Sequence, residues 1–182
     1  PGDDELEAAG DGDILRGFRR MMEASAAIGC RELWVATANF KGDYFGRLAY
    51  DRFRTDADWA DQLAATEKFL KRLAPIARDL GIHMNLETHE EATSFELVRL
   101  VEAVGPDTTG IVLDTSNVRQ RMEHPVFAAR RAAKTGGTVE ILALIPPSEF
   151  VQWGGVQATI EEEARLRAEA LVAGAAGTLV EE

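Results

Sequence analysis

A single cysteine and the lack of a long apolar run each close off a class of protein. Cys30 alone cannot form an intramolecular disulfide and has no second thiolate for a cysteine metal site, which points to a reducing compartment and a cytoplasmic protein. The longest uninterrupted apolar run, Ile141–Ile145, falls far short of the roughly 18–20 residues that span a bilayer, so no transmembrane helix and no membrane partner are expected. Cations are the minority. Lys and Arg number 20 against 31 Asp and Glu, a net charge of −11, and such a surface repels a polyanion on average, so no nucleic-acid partner is expected. A divalent cation is the more natural partner. What the chain does have is apolar material, 46% of its 182 residues, enough for one sizeable core in a single domain spanning 1–182.

Hydropathy patterning orders that material into alternating elements. Residues 1–12 are acidic and contain glycine, and read as a solvated lead-in to an amphipathic helix that begins near Asp13 and ends at Gly29. Leu33-Trp34-Val35-Ala36 reads as a short buried parallel strand. Ala38 to Arg54 reads as a loop, and its density of aromatics suits a lid or a subunit contact. A second helix is expected from Thr55 to Leu80, stopped by Gly81, followed by a strand over Ile82–Glu87. Thr93-Ser94-Phe95-Glu96 is a capping box that opens a helix ending at Gly105-Pro106. Gly110–Asp114 is the next strand, Val126–Lys134 the next helix, and Thr138–Ile145 a further buried strand. The last helix is expected over Thr159–Ala173, with Thr159 and Glu162 as a second capping box. Short apolar strands alternating with helices imply βαβ units and a parallel sheet, so the class is α/β. Four strands are few for a closed eight-stranded barrel, which normally needs about 250 residues.

In parallel sheets, ligands bind at the carboxyl ends of the strands. Two such ends here carry acids. Glu87 closes the strand IHMNLE, and Asp114 closes GIVLD. Neighbouring strands lie about 4.8 Å apart, so Glu87 and Asp114 can share one cation, and oxygen ligands suit Mg²⁺ or Mn²⁺. Asp114 equally suits the N-cap of a following helix or an Asx-turn. His89, two residues past Glu87, suits either substrate contact or a solvated loop. His83, in the strand with Asn85, reads as a hydrogen-bonded interior residue, His124 as a loop residue, and Glu161–Glu163 as a solvated helix start.

The segments RELWVAT, RFRTDADWADQL, MNLETHEEATSFELVRLVEAVG and GIVLDTSN with HPVFAARR make the stretch from Gly29 to about Ala133 resemble the sugar phosphate isomerase/epimerase-like family of xylose-isomerase-like TIM barrels. The resemblance implies a (β/α) barrel, incomplete in this chain, whose first two strands would precede residue 1 and whose usual His-bearing late strand is missing. It also implies a divalent metal, Mn²⁺ or Mg²⁺ first and Co²⁺ or Zn²⁺ next, on Glu87 and Asp114, with Glu140 matching a final Glu ligand. Glu87 and Glu140 would move the proton, and His89 and Asn117 would lie near the sugar. The implied activity is isomerisation or epimerisation of a ketose, sugar phosphate or cyclitol through an enediolate. The same proton abstraction serves a lyase performing β-elimination on an oxidised sugar or C-glycoside. A non-catalytic subunit with a degenerate barrel is the reading from a different class. Edges left open by missing strands call for a homo-oligomer.

Overall fold

Asp13 opens the first long helix by accepting hydrogen bonds from the backbone amides of Leu15 and Arg16, which otherwise have no partner in the first turn. The computed structural model describes residues 3–36, 54, 57–136, 140–142 and 154–180. They form α1 (Asp3–Ala9), α2 (Ile14–Ala27), β1 (Glu32–Val35), α3 (Trp59–Leu80), β2 (His83–Glu87), α4 (Ser94–Val104), β3 (Thr109–Val112), α5 (Thr115–Gln120), α6 (Pro125–Ala133) and α7 (Gly154–Val180). The chain divides into two compact units, Pro1–Gly137 and Thr138–Glu182.

In the first unit the strands form a parallel sheet in the order β1-β2-β3. Alternation sends Met84 and Leu86 to one face, where both are completely buried, together with Leu33 and Val35 of β1 and Ile111 of β3. Against them pack Met22 of α2, Leu70, Leu73, Ile76 and Ala77 of α3, and Leu97, Leu100 and Val101 of α4. This is the core. Gly81 closes α3 in the left-handed region at φ 63°, which glycine enters without a Cβ penalty.

The opposite face of the sheet is polar. Glu32 of β1 pairs in register with His83 of β2, and Trp34 with Asn85. The Asn85 side-chain amide donates to Glu32 Oε2 at 2.6 Å, while its Oδ1 lies 3.1 Å from His83 Nδ1, as the sequence pattern anticipated. A Cβ on Gly110, the β3 neighbour of Asn85, would fall 2.5 Å from Asn85 Oδ1, so this network needs glycine there. Trp34 projects from the same face and is 70% exposed.

Several sequence expectations are corrected. The acidic lead-in is a helix, α1, whose Leu6 is buried and which packs on α2; a seven-residue helix is too short to show periodicity. Described residues enter the second long helix at Trp59, capped by Asp58 rather than Thr55, because Asp58 accepts from Ala60 and Asp61. The third strand ends at Val112, and the next two residues lead into α5, a short helix not anticipated. Glu140, Ile141 and Leu142 carry no strand, and the rest of the expected strand Thr138–Ile145 lies outside the described residues. So does the aromatic loop, apart from Arg54 at its end.

The second unit contains α7, which begins at Gly154 and carries Thr159 in its interior rather than at its cap. Its surface is exposed, with Arg165 paired to Glu162 at 2.6 Å and to Glu169 one turn on. No helix among the described residues is long and apolar enough to cross a membrane.

Candidate active site

β2 and β3 end side by side, with Glu87 in register with Val112, so the residues that follow each strand meet beyond the sheet. Thr88 ties the two ends together. Its backbone amide donates to Val112 O at 2.9 Å, and its buried hydroxyl accepts from the Asp114 amide at 2.9 Å. The turn from β3 into α5 is thereby pinned to the end of β2. Asp114 then caps α5, its Oδ1 accepting from Ser116 N at 2.7 Å and Asn117 N at 3.2 Å.

Asn117 joins the two acids. Its backbone amide serves Asp114, and its side-chain amide donates to Glu87 Oε1 at 3.2 Å. Glu87 itself is only 5% exposed. A carboxylate buried to that degree at a strand end is costly unless polar partners compensate it, and the Asn117 amide supplies one. The cap reading of Asp114 is therefore realised in the structure, and Asn117 bonds both carboxylates.

His89 follows in the turn after β2, where Ala92 N donates to His89 O at 3.0 Å. Its Nδ1 is hydrogen-bonded to Glu91, whose side chain is buried. That hydrogen bond raises the pKa of the imidazole, against desolvation, with further help from the charges of Glu91, Glu87 and Glu90. Two guanidiniums clamp the turn: Arg121 donates to Glu90 O at 2.9 Å and Arg54 to Glu91 O at 2.7 Å.

Glu96 anchors the next helix as the sequence predicts, receiving the Thr93 amide at 2.7 Å in a complete capping box. It also binds Arg54 at 2.9 Å and Trp59 Nε1 at 2.8 Å. Burial alone pushes the Glu96 carboxyl up, but the hydrogen bonds from Arg54, Thr93 and Trp59 outweigh it and hold the group below its ordinary range. A second, half-buried anchor lies at the same helix start, where Glu123 accepts from Ser94 N and from Ser94 Oγ at 2.7 Å each and pairs with Arg131 at 3.0 Å.

The first unit thus brings Glu87, Asp114 and Asn117 together, with His89 in the adjoining turn. Glu140 belongs to the second unit, where it is exposed. Among the described residues no group of three His, Cys, Asp or Glu is placed to hold a metal ion. Sequence reasoning passed over Thr88 and Glu91. Thr88 offers no pattern beyond its place at a strand end, and the pair Glu90-Glu91 looks solvated until the turn buries its second member.

Comparison with curated proteins finds no match. Among solved structures, the crystal structure of a xylose isomerase domain protein from Planctomyces limnophilus is similar at 17% identity and a TM-score of 0.44, over 67% of this chain. The chain spans 39% of that protein's length. The family model for the xylose isomerase-like TIM barrel matches residues 4–169, and the chain, whose described strands form a three-stranded parallel α/β sheet, belongs to that family.

Proposed function

We propose that this chain is a divalent-metal-dependent sugar isomerase or epimerase that moves a proton on carbon next to the carbonyl of a ketose, sugar phosphate or cyclitol. One observation carries the reading: Asn117 bonds both the Glu87 and the Asp114 carboxylates at the carboxyl ends of adjacent parallel strands, the place where such folds bind ligands. The family, which covers sugar isomerases and epimerases, agrees with it.

The donor chemistry suits a hard divalent cation, with Mn²⁺ or Mg²⁺ preferred. Glu87 and Asp114 would hold it. A cation bound there supplies Lewis-acid polarisation of a carbonyl. The protein's own residues do the rest. Glu87 is the base for the proton next to that carbonyl, its burial keeping competing water away. Asn117 holds Glu87 in place, and Asn117 and His89 offer polar contacts to sugar hydroxyls.

Incubating the protein in D₂O with Mn²⁺ and either D-fructose or a keto-inositol should exchange the proton beside the carbonyl, since its abstraction precedes epimerisation and elimination alike. Glu87→Gln should lower exchange by about 10²–10⁴-fold, the usual cost of losing an acid–base group. A protein that binds no sugar and exchanges nothing would be the non-catalytic subunit instead. The lone exposed Cys30 supports a cytoplasmic setting, and the sheet edges at β1 and β3, unpaired among the described residues, support self-association.

A further inference from the structure

Glu91 is the most deeply buried acid among the described residues at this site: its side chain is 1% exposed, against 22% for the His89 ring to which it is bonded. Ionised carboxylates are costly to bury unless hydrogen-bonded, and the His89 ring supplies one such bond. Several described contacts keep Glu91 beside the ring. The turn closed by Ala92 N on His89 O folds residue 91 back toward residue 89. Arg54 and Arg121 fix the carbonyls of Glu91 and Glu90 from either side. The order is carboxylate behind, imidazole in front, with the ring the more exposed of the two.

We propose that Glu91 is a positioning residue: its carboxylate accepts the Nδ1–H of His89 and so holds the ring in the tautomer whose Nε2 is the acceptor nitrogen, the form that takes a hydrogen bond from a sugar hydroxyl. The tautomer of a histidine is set by the bond that its other nitrogen makes, and a carboxylate that fixes both tautomer and ring plane makes a neutral imidazole a directed acceptor. The ligand half of this statement rests on the sugar-processing reading above; the tautomer half does not.

The test is a long-range ¹⁵N–¹H spectrum of the intact chain at about pH 9, well above the ordinary range of a histidine, with His89 assigned by its loss in His89→Gln. The wild type should show His89 as the Nδ1–H form. Glu91→Ala should convert it toward the Nε2–H form that free imidazole prefers. Glu91→Gln, which keeps an acceptor oxygen but no charge, should retain the Nδ1–H form with its proton resonance moved upfield. An Nε2–H ring in the wild type overturns the proposal, as does a ring unchanged in Glu91→Ala; if that variant does not fold, an unmoved resonance in Glu91→Gln overturns it. In Mn²⁺-dependent exchange of D-fructose, Glu91→Ala should raise KM by about 2- to 10-fold, the worth of one hydrogen bond, more than it lowers kcat, and Glu91→Gln should restore most of the loss. A larger fall in kcat than rise in KM contradicts a positioning role. No exchange by the wild type removes the sugar reading and the ligand half with it, while the spectra still decide the tautomer.

Discussion

On the face of the sheet that meets the helices, Met84 and Leu86 are wholly buried, whereas on the opposite face the same strand presents His83, Asn85 and Glu87. The two faces alternate residue by residue yet answer to different demands. The first joins one apolar cluster with α2, α3 and α4. The second splits again along the strand. At its amino end Glu32, Asn85 and His83 bond one another, and His83 Nε2 lies 3.2 Å from Pro106 O, so that polar layer is satisfied within the sheet and its flanks. At the carboxyl end, Glu87 and Asp114 are held by donors from α5, which places two acids where a ligand would approach. Stability therefore concentrates on one face and at one end of the other, and candidate chemistry at the remaining end.

The largest effect should come from the apolar face. Leu86→Ala should destabilise the first unit by about 2–5 kcal/mol in denaturant unfolding, the transfer and cavity cost of a fully buried leucine; a loss below about 1 kcal/mol would break the distinction between the faces.

Polar anchoring on the helix side should come next. Because the folded-state pKa of Glu96 is depressed, its contribution is fully present above the ordinary value of 4.5 and is lost as pH falls through the lower folded value. Glu96→Gln should cost about 1.5–3 kcal/mol at neutral pH, the range for hydrogen bonds to a charged group, and the gap to wild type should close in acid. A gap independent of pH would show that the charge contributes nothing.

The smallest effect should be at the exposed side chain of the polar face. Trp34→Thr, which keeps a good strand former, should change stability by no more than about 0.5 kcal/mol. A much larger loss would mean that the face is covered in solution, and light scattering would then read out the covering copy as a dimer.

β1 and β3 were legible as short apolar runs between polar flanks, and Thr93 with Glu96 announced α4 by local chemistry alone. Short helices were not: α1 and α5 span two turns or fewer and show no period. Thr159 and Glu162 carry the same local signal as Thr93 and Glu96, but helix-compatible residues precede Thr159 and α7 runs on through them, so a cap motif without a break before it misplaced the start. At the candidate site, Glu87 and Asp114 stood out as acids ending apolar strands. Asn117 entered only through the family resemblance, as a residue near the sugar; its bonds to both acids were not legible, because they depend on strand register and on the first turn of α5. The burial of Glu91 depends likewise on how its turn packs, which no spacing along the chain encodes.

The central claim is that Glu87 and Asp114 act on one divalent cation, and calorimetric titration of the metal-free protein with Mn²⁺ tests it most directly. The account predicts one saturable site per chain in the wild type, lost in both Glu87→Gln and Asp114→Asn while each variant keeps its helical circular dichroism. Wild-type protein that binds no Mn²⁺, or folded variants that bind it as the wild type does, would contradict the claim.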